Sequence, residues 1–299
     1  MLLNEFLNYF MAIKAPMLAP NTVSGYKRNI AMINEHIGNK PIEQIKAIDI
    51  QQMYIKMQET LSGTTVLYVH RVLKQAFKYA LMQDIIQRDV SAFVIAPKKS
   101  RHKNTILSYD DAMYLLSECI GTELYAPVAF ALLLGLRRGE MLGLKYSDFN
   151  EKRYTLSISR SAIFKNGERV LSDTKTESGV RTLLLSKELF YELRDCTHNE
   201  SGFICDMTQS VLQRRFSAKL AEIGLPHMRY HDLRHTCATL LILDNVPSKV
   251  VSNRLGHSKV STTLDIYTHV SVDMQVQAAV AFDSLIADAR AVKSRGAIQ

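Results

Sequence analysis

The sequence predicts a mainly helical protein of the α+β class, with one small antiparallel β-sheet, divided into two domains. Three observations carry that expectation. Apolar residues recur at three-to-four spacing through the first hundred residues and again through most of the chain beyond residue 104. A single stretch, 153–185, alternates apolar and polar residues between turn signals. Between the two helical regions lies a polar, basic segment, Pro97-Lys-Lys-Ser-Arg-His-Lys103. At 299 residues the chain has room for two domains of ordinary size. The expected division is a helical domain over 1–96, a basic linker over 97–104 and a second domain over 105–299.

In the first domain, Pro20-Asn21-Thr22 is a helix-start signal, and Val23, Tyr26, Ile30, Ile33 and Ile37 follow on one face before Gly38. Asp49 is a candidate cap for a helix reaching Leu61, with Ile50, Met53, Tyr54 and Met57 as its apolar stripe. Ser62-Gly63 breaks that run. Thr65 then opens a longer one through Val66, Val69, Val72, Leu73, Ala76, Phe77, Ala80 and Leu81. Three or four amphipathic helices in a bundle are expected.

In the second domain, Ser108-Tyr-Asp-Asp111 marks a helix start, and Pro127 to Leu134 is apolar enough to be a buried helix that ends at Gly135. Leu136-Arg137-Arg138-Gly139-Glu140 follows, an arginine pair in a glycine-flanked turn. Arginine is rarely buried without a partner, and Glu140, one turn on, is a structural candidate for holding Arg137. Tyr154, Leu156 and Ile158 then alternate with polar residues. Asn166-Gly167 is a hairpin turn, and Glu177-Ser-Gly179 is read as a second one before Val180–Leu185. Lys175 stands near that second tip, where a lysine is ordinarily just solvated. Helix signals return over 187–224, stop at Gly224-Leu-Pro226, and resume in an amphipathic C-terminal segment containing Val276, Val280, Phe282, Leu285 and Ile286.

Composition narrows the function. The chain is 47% hydrophobic with a mean hydropathy of -0.05, and its apolar runs are shorter than the roughly 20 residues a spanning helix needs. No membrane partner is expected. The first residues lack a basic region ahead of an apolar one, so no signal peptide is expected either. The cysteines Cys119, Cys196, Cys205 and Cys237 are scattered without a CxxC pair, which argues against a zinc ribbon or a disulfide frame and for a reducing cytosol. The net charge is +8, and almost all of the excess falls in residues 1–103. A basic first third on a nearly neutral remainder suggests a polyanion held mainly by one part. Candidate phosphate contacts are Lys27, Arg71, Lys74 and Lys78 on the helices, Lys98, Lys99, Arg101 and Lys103 in the linker, and Arg181 in the sheet. The linker also has the composition of a nuclear localisation signal; the basic bundle before it favours a segment lying along a duplex.

The stretch from His227 to Val270 holds five of the nine histidines. Three readings of it are open. As a metal site, His227, His231 and His235 recur every four residues, but Pro226 interrupts the helix there and Arg234 would set a permanent cation beside the ion. As a structural helix, Leu233, Cys237, Leu240 and Leu241 form a core stripe, and His235 has Asp232 and Thr236 as possible partners. As a phosphodiester site, His231 and Arg234 share a face, arginine's fork matches phosphate oxygens, His257 adds a donor, and Tyr267 offers a hydroxyl nucleophile. Fixed cationic donors stabilise a phosphorane-like transition state more than the ground state. No acidic cluster suited to paired metal ions accompanies them, and no cofactor is expected.

Four phrases together, LGLRRGEMLGLKYSDF, TKTESGVRTLLL, HDLRHTCATLL and LGHSKVSTTLDIYTHV, resemble the tyrosine recombinases, the phage-type integrases and Xer recombinases. The resemblance covers roughly residues 2–275. It implies a two-domain DNA clamp, with an N-terminal helical SAM-like core-binding domain and a catalytic domain. By that resemblance, Arg137 and Arg234 bind the scissile phosphate, and His231 is a donor and proton acceptor. Lys175 protonates the leaving 5′-oxygen, His257 is a further donor, and Tyr267 is the nucleophile that forms a 3′-phosphotyrosyl link. The link conserves the phosphodiester's energy, so neither ATP nor metal is required.

The spacing from His257 to Tyr267 and the TTLDIYTHV phrase look more like integrases of phages and mobile elements than like Xer enzymes. Many such element integrases carry an additional N-terminal arm-DNA-binding domain; this sequence begins directly in the core-binding helices, so that domain is expected to be absent. The implied partners are double-stranded DNA recombination sites, a homotetramer joined on DNA through the C-terminal helix (about 274–290), and accessory DNA-bending or directionality factors. The implied location is the cytoplasm of a bacterial or phage-infected cell. Competing functions are a Xer-type dimer resolvase, a type IB topoisomerase and a catalytically silent DNA-binding protein.

Overall fold

The structure, a computed structural model, describes residues 1–100, 104–165, 167–173, 179–196 and 199–256. It divides into two compact units, Met1–Lys103 and Asn104–Gln299. Lys175, His257, Tyr267, Arg101, Lys103 and the expected C-terminal helix lie outside the described residues.

Four helices build the first unit: α1 (Leu3–Lys14), α2 (Pro20–Ile37), α3 (Ala47–Gln58) and α4 (Gly63–Met82). Their stripes meet in one core that includes Phe6, Phe10, Ile33, Ile50, Tyr54, Val69, Leu73 and Phe77. Removing these side chains from water at roughly 25 cal/mol per Å² of apolar surface is what holds short helices together. Proline takes the first position of α2, where its missing N–H costs nothing. Ser62 caps α4, its hydroxyl accepting from the Thr65 N–H at 3.3 Å.

Asp49 is placed differently from the expectation. The helix starts at Ala47, three residues earlier than a cap at Asp49 would give, and Asp49 reaches back from its third position to accept from the Lys46 N–H at 3.0 Å. The unit also runs further than residue 96. Ser100 donates its N–H to the Thr64 hydroxyl at 3.0 Å, which ties the start of the basic segment to α4.

The second unit opens with α5 (Tyr109–Cys119), capped by Ser108, and α6 (Tyr125–Leu133). Every residue of α6 from Tyr125 to Leu132 is buried, as a helix apolar on all sides requires. The short α7 (Arg138–Gly143) follows, then strands β1 (Phe149–Asn150), β2 (Thr155–Ile158), β3 (Arg160–Lys165), β4 (Glu168–Asp173) and β5 (Arg181–Leu184). Helices α8 (Lys187–Asp195), α9 (Gln209–Glu222), α10 (Asp232–Leu243) and α11 (Ser248–Leu255) complete the described fold.

Among the described residues the strands form two sheets, not one: antiparallel β1-β2-β5, and the β3–β4 hairpin. Lys165 faces Glu168 in the β3–β4 hairpin, the register the expected turn requires. The second expected hairpin is absent among the described residues, because β4 pairs with β3 while β5 crosses back to β2 in register Leu156↔Leu183. Burial decides this: Leu156, Ile158 and Leu183 all point into the main core, and only the β2–β5 pairing puts them on one face. Small residues let α7 lie against β3. A Cβ on Gly143 would stand 3.2 Å from the Ala162 nitrogen, and one on Gly139 would collide with the Ser161 hydroxyl.

Candidate active site

The site begins where α6 ends. Gly135 has φ +65°, a conformation open to glycine at little cost, and turns the chain so that Arg137 becomes the residue preceding α7. Glu140, in the third position of that helix, accepts the Arg137 N–H at 2.9 Å and its Nη1 at 2.6 Å. Glu140 therefore does hold Arg137, as the structural reading of the arginine pair anticipated, but it also holds a second arginine. Arg181 on β5 donates Nη1 to Oε1 at 3.1 Å and Nη2 to Oε2 at 3.0 Å of the same carboxylate. Burial alone would raise the Glu140 pKa, but the hydrogen bonds and charges of Arg181 and the charge of Arg137 outweigh it and hold the group below its ordinary 4.5.

The third guanidinium arrives on α10. Arg234 is only 3% exposed and donates Nη1 to the Gly135 carbonyl at 2.6 Å and Nη2 to the Leu255 carbonyl at 2.8 Å. Arg137 donates Nη2 to the Gly256 carbonyl at 2.5 Å, and Arg181 donates Nε to the Arg254 carbonyl at 2.7 Å. Three successive carbonyls at the C-terminal end of α11 are thus each taken by a different arginine. These are the carbonyls a helix leaves without partners, at its negative end. Gly256 itself takes the left-handed conformation, φ +69°, that lets the last turn stop there.

Counting charges defines what the site can do. Arg137 and Arg181 share the Glu140 carboxylate, and Arg234 stands near enough to feel its charge without bonding to it, so the cluster of three guanidiniums and one carboxylate carries two positive charges in excess. Burial first, then the charges of Arg137 and Arg181, lower the Arg234 pKa to about 9, with Glu140 opposing, so the group stays charged at pH 7. Arg137 is the most open of the three, with 38% of its side chain exposed. Its Nε–H and one N–H on each terminal nitrogen have no partner among the described residues, so it is the group an incoming anion meets first. Such a site suits an anion with several oxygens.

His231 stands at the entry to α10, exposed on one side, with its ring edge to face on His235 at 5.4 Å. Desolvation, then the charges of His235 and Arg234, lower its pKa to about 4. The ring is neutral at pH 7 and carries one nitrogen able to accept a proton. His235 is not held by Asp232, whose carboxylate instead accepts from the Arg229 guanidinium at 2.8 Å and the Arg229 N–H at 3.0 Å. Thr236 is likewise engaged elsewhere: it accepts from the Leu107 N–H at 3.3 Å. His227 is exposed. Among the described residues no three His, Cys, Asp or Glu side chains converge on a point that could hold a metal ion.

Of the residues singled out in the sequence, Arg137, His231 and Arg234 come together here. Lys27, Arg71, Lys74, Lys78, Lys98 and Lys99 are exposed on the first unit, and none makes an ion pair among the described residues. Arg71, Lys74 and Lys78 follow one another at three-to-four spacing on α4, and Arg71 lies over the Tyr68 ring at 5.4 Å. Arg181, expected among the DNA contacts, is turned inward with 7% of its side chain exposed. Sequence reasoning missed both this and the sharing of Glu140. The signal was a carboxylate three residues after Arg137 in an otherwise apolar stretch, which predicts a buried acid needing cationic partners.

The chain matches the phage integrase family over residues 98–274 and the phage integrase N-terminal SAM-like domain over residues 2–58. The chain belongs to the phage integrase family. It is a tyrosine recombinase, a DNA breaking-and-rejoining enzyme. It is 29% identical to a XerC-like tyrosine recombinase of Caldanaerobacter subterraneus subsp. tengcongensis over 82% of this chain and 72% of that protein. It is 26% identical to the ICEBs1 integrase of Bacillus subtilis over 87% of this chain and 78% of that one. In fold it is similar to the Tn1549 transposon integrase, solved in complex with transposon right end DNA, at a TM-score of 0.76 and 22% identity over 89% and 95% of the two chains. A lambda integrase dimer bound to a core site gives 0.72 at 19% identity, over 89% and 95%.

Proposed function

We propose that this integrase is a site-specific recombinase that cuts and rejoins double-stranded DNA through a 3′-phosphotyrosyl intermediate on Tyr267, and that it serves the integration or excision of a mobile element. One observation carries the chemical part: three clustered guanidiniums, two of them bonded to a single carboxylate, with the excess charge exposed at Arg137. In this reading Arg137 and Arg234 hold the non-bridging oxygens of the scissile phosphate, where charge grows in the transition state. His231, neutral at pH 7, takes the proton of the Tyr267 hydroxyl. The tyrosine oxygen then bonds to phosphorus, the 5′-oxygen leaves with a proton from Lys175, and His257 adds a donor to the phosphate. The partner strand's 5′-hydroxyl later displaces the tyrosine, and no metal or cofactor takes part.

The first unit forms the core-binding domain, and residues 105–299 form the catalytic domain. Lys27, Arg71, Lys74, Lys78, Lys98 and Lys99, with Arg101 and Lys103, hold flanking phosphates through charge that a salt titration reads directly. The enzyme works as a homotetramer on DNA joined through the segment about 274–290, with accessory factors setting direction, in the bacterial cytoplasm. Similarity to the ICEBs1 integrase and the fold shared with the Tn1549 integrase support the mobile-element role. The 29% identity to a XerC-like recombinase supports a dimer resolvase as the second reading. An attachment-like repeat beside mobile-element genes separates the two.

The test is a nicked suicide duplex incubated with the protein in EDTA. The wild-type chain is expected to form a covalent protein–DNA adduct, and Tyr267→Phe to bind the same DNA without forming one. An adduct at wild-type yield from Tyr267→Phe would overturn the nucleophile assignment, and a strict need for added Mg²⁺ or Zn²⁺ would overturn the metal-free mechanism.

A further inference from the structure

Arg181 is the inward-turned arginine, and the atoms it occupies say what it does. Four of its five N–H donors go to protein: Nε to the Arg254 carbonyl at 2.7 Å, Nη1 to Glu140 Oε1 at 3.1 Å and to the Gly179 carbonyl at 3.3 Å, and Nη2 to Glu140 Oε2 at 3.0 Å. The remaining exposure of its side chain is 7%, so it does not reach a DNA backbone. Its fork covers both oxygens of Glu140. A carboxylate offers two oxygens in one plane, and a guanidinium set against both of them is its strongest arrangement.

The consequence falls on Arg137. With both Glu140 oxygens covered from the β5 side, the Arg137 guanidinium meets the carboxylate end-on, through Nη1 at 2.6 Å beside the main-chain N–H bond to Oε2 at 2.9 Å, and its Nη2 is directed to the Gly256 carbonyl at 2.5 Å. Without the second arginine, only the Nη2 bond to the Gly256 carbonyl opposes the rotation of Arg137 into the same bidentate position. Its charge would then be neutralised by Glu140, and its free N–H groups would be drawn away from the open side of the site. The requirement is for one carboxylate to be shared between two arginines so that neither is fully satisfied by it.

We propose that Arg181 is a positioning residue for the strand-cleavage reaction: by occupying the fork of Glu140, it keeps the Arg137 guanidinium end-on and available to the scissile phosphate. This rests on the reading of Arg137 as a phosphate ligand. Arg181 touches no reacting atom; it acts through Glu140 on Arg137.

The experiment compares Arg181→Met with the wild-type chain on two suicide duplexes, one with an ordinary scissile phosphodiester and one with a methylphosphonate at that position. The methyl group replaces a non-bridging oxygen and removes the negative charge that Arg137 neutralises. On the phosphodiester, Arg181→Met is expected to slow adduct formation on the order of 100-fold while DNA affinity stays within about threefold. On the methylphosphonate, the ratio of wild-type to variant rate is expected to shrink to within about threefold, because the interaction that was lost is no longer needed. Equal losses on the two substrates would mean a general structural defect and would overturn the proposal, as would a variant as fast as wild type on both. Should Arg181→Met fail to fold, Arg181→Lys decides. It keeps the charge but covers one oxygen only, and it is expected to lose rate on the phosphodiester alone; an equal loss on both again overturns it. A wild-type chain that forms no adduct overturns the phosphate-site reading itself, a result distinct from any pattern among the Arg181 variants.

Discussion

Arg234 reaches back 99 residues to donate its Nη1 to the carbonyl of Gly135 at 2.6 Å, and this bond ties α10 to the turn that presents Arg137. The carbonyl is aimed correctly because Gly135 holds φ +65°. A Cβ at that position would also collide with the Leu255 side chain, so backbone and packing impose the same residue.

Gly135→Ala is therefore expected to destabilise the second unit by about 1–3 kcal/mol, from strain at positive φ and overpacking against Leu255. Urea unfolding of the full chain measures it. A midpoint equal to that of wild type would show that the turn tolerates a side chain and that the Arg234 bond does not depend on it.

Arg137→Lys keeps a positive charge but not a fork. An ammonium on a flexible stem cannot hold the Glu140 oxygen and the Gly256 carbonyl and still present donors to an anion. Adduct formation on a suicide duplex should fall on the order of 100-fold or more, with DNA affinity by gel shift nearly unchanged. Retention of most of the rate would reduce Arg137 to a point charge.

Glu140→Gln leaves Arg181, largely buried, without its counter-charge. Removing one partner of a buried pair costs about 3–5 kcal/mol. The pH dependence has a definite sign. Because the folded pKa of Glu140 lies below its ordinary 4.5, its contribution is fully present above pH 4.5 and is lost as pH falls through the folded value. Wild type should lose stability on acidification below pH 4.5 more steeply than Glu140→Gln. Parallel curves would place the acid sensitivity elsewhere.

His231 has the corresponding behaviour at higher pH. Its folded pKa of about 4 lies below its ordinary 6.5, so the unfolded chain takes up the proton first. The contribution is complete above pH 6.5 and is lost as pH falls from there towards 4. Thermal midpoints recorded between pH 7 and pH 4 should decline less in His231→Gln than in wild type. An identical slope would mean that the ring is as well solvated in the folded state as in the unfolded one.

Much of the fold was legible in the chain because helices report themselves locally. The stripe Val66, Val69, Leu73, Phe77 and Ala80 needs no distant information to be recognised, and each of those residues is buried where the spacing places it. The β3–β4 hairpin, with Lys165 opposite Glu168, is equally local. What could not be read was which strand β5 joins. Alternation marks a strand and its faces, but a partner is chosen by which buried surfaces match, and Leu183 finds its match on β2 across the intervening hairpin.

The site divides along the same line. Arg137, His231 and Arg234 were identifiable from their phrases, with the roles that resemblance attaches to them, and membership of the phage integrase family follows from the same stretches. Arg181 carried the same positive charge as the lysines of the first unit, and nothing in its neighbours along the chain distinguished an inward cation from an outward one. That distinction depends on Glu140, 41 residues away, and on the carbonyl of Arg254, 73 residues away. The sequence by itself determined which residues carry charge, which helices form and to which family the chain belongs, because composition and short-range periodicity encode these. Only the tertiary structure decided how one buried carboxylate and three helix-end carbonyls are shared among three arginines, because a charge is set by its surroundings and those surroundings come from segments far apart in the chain.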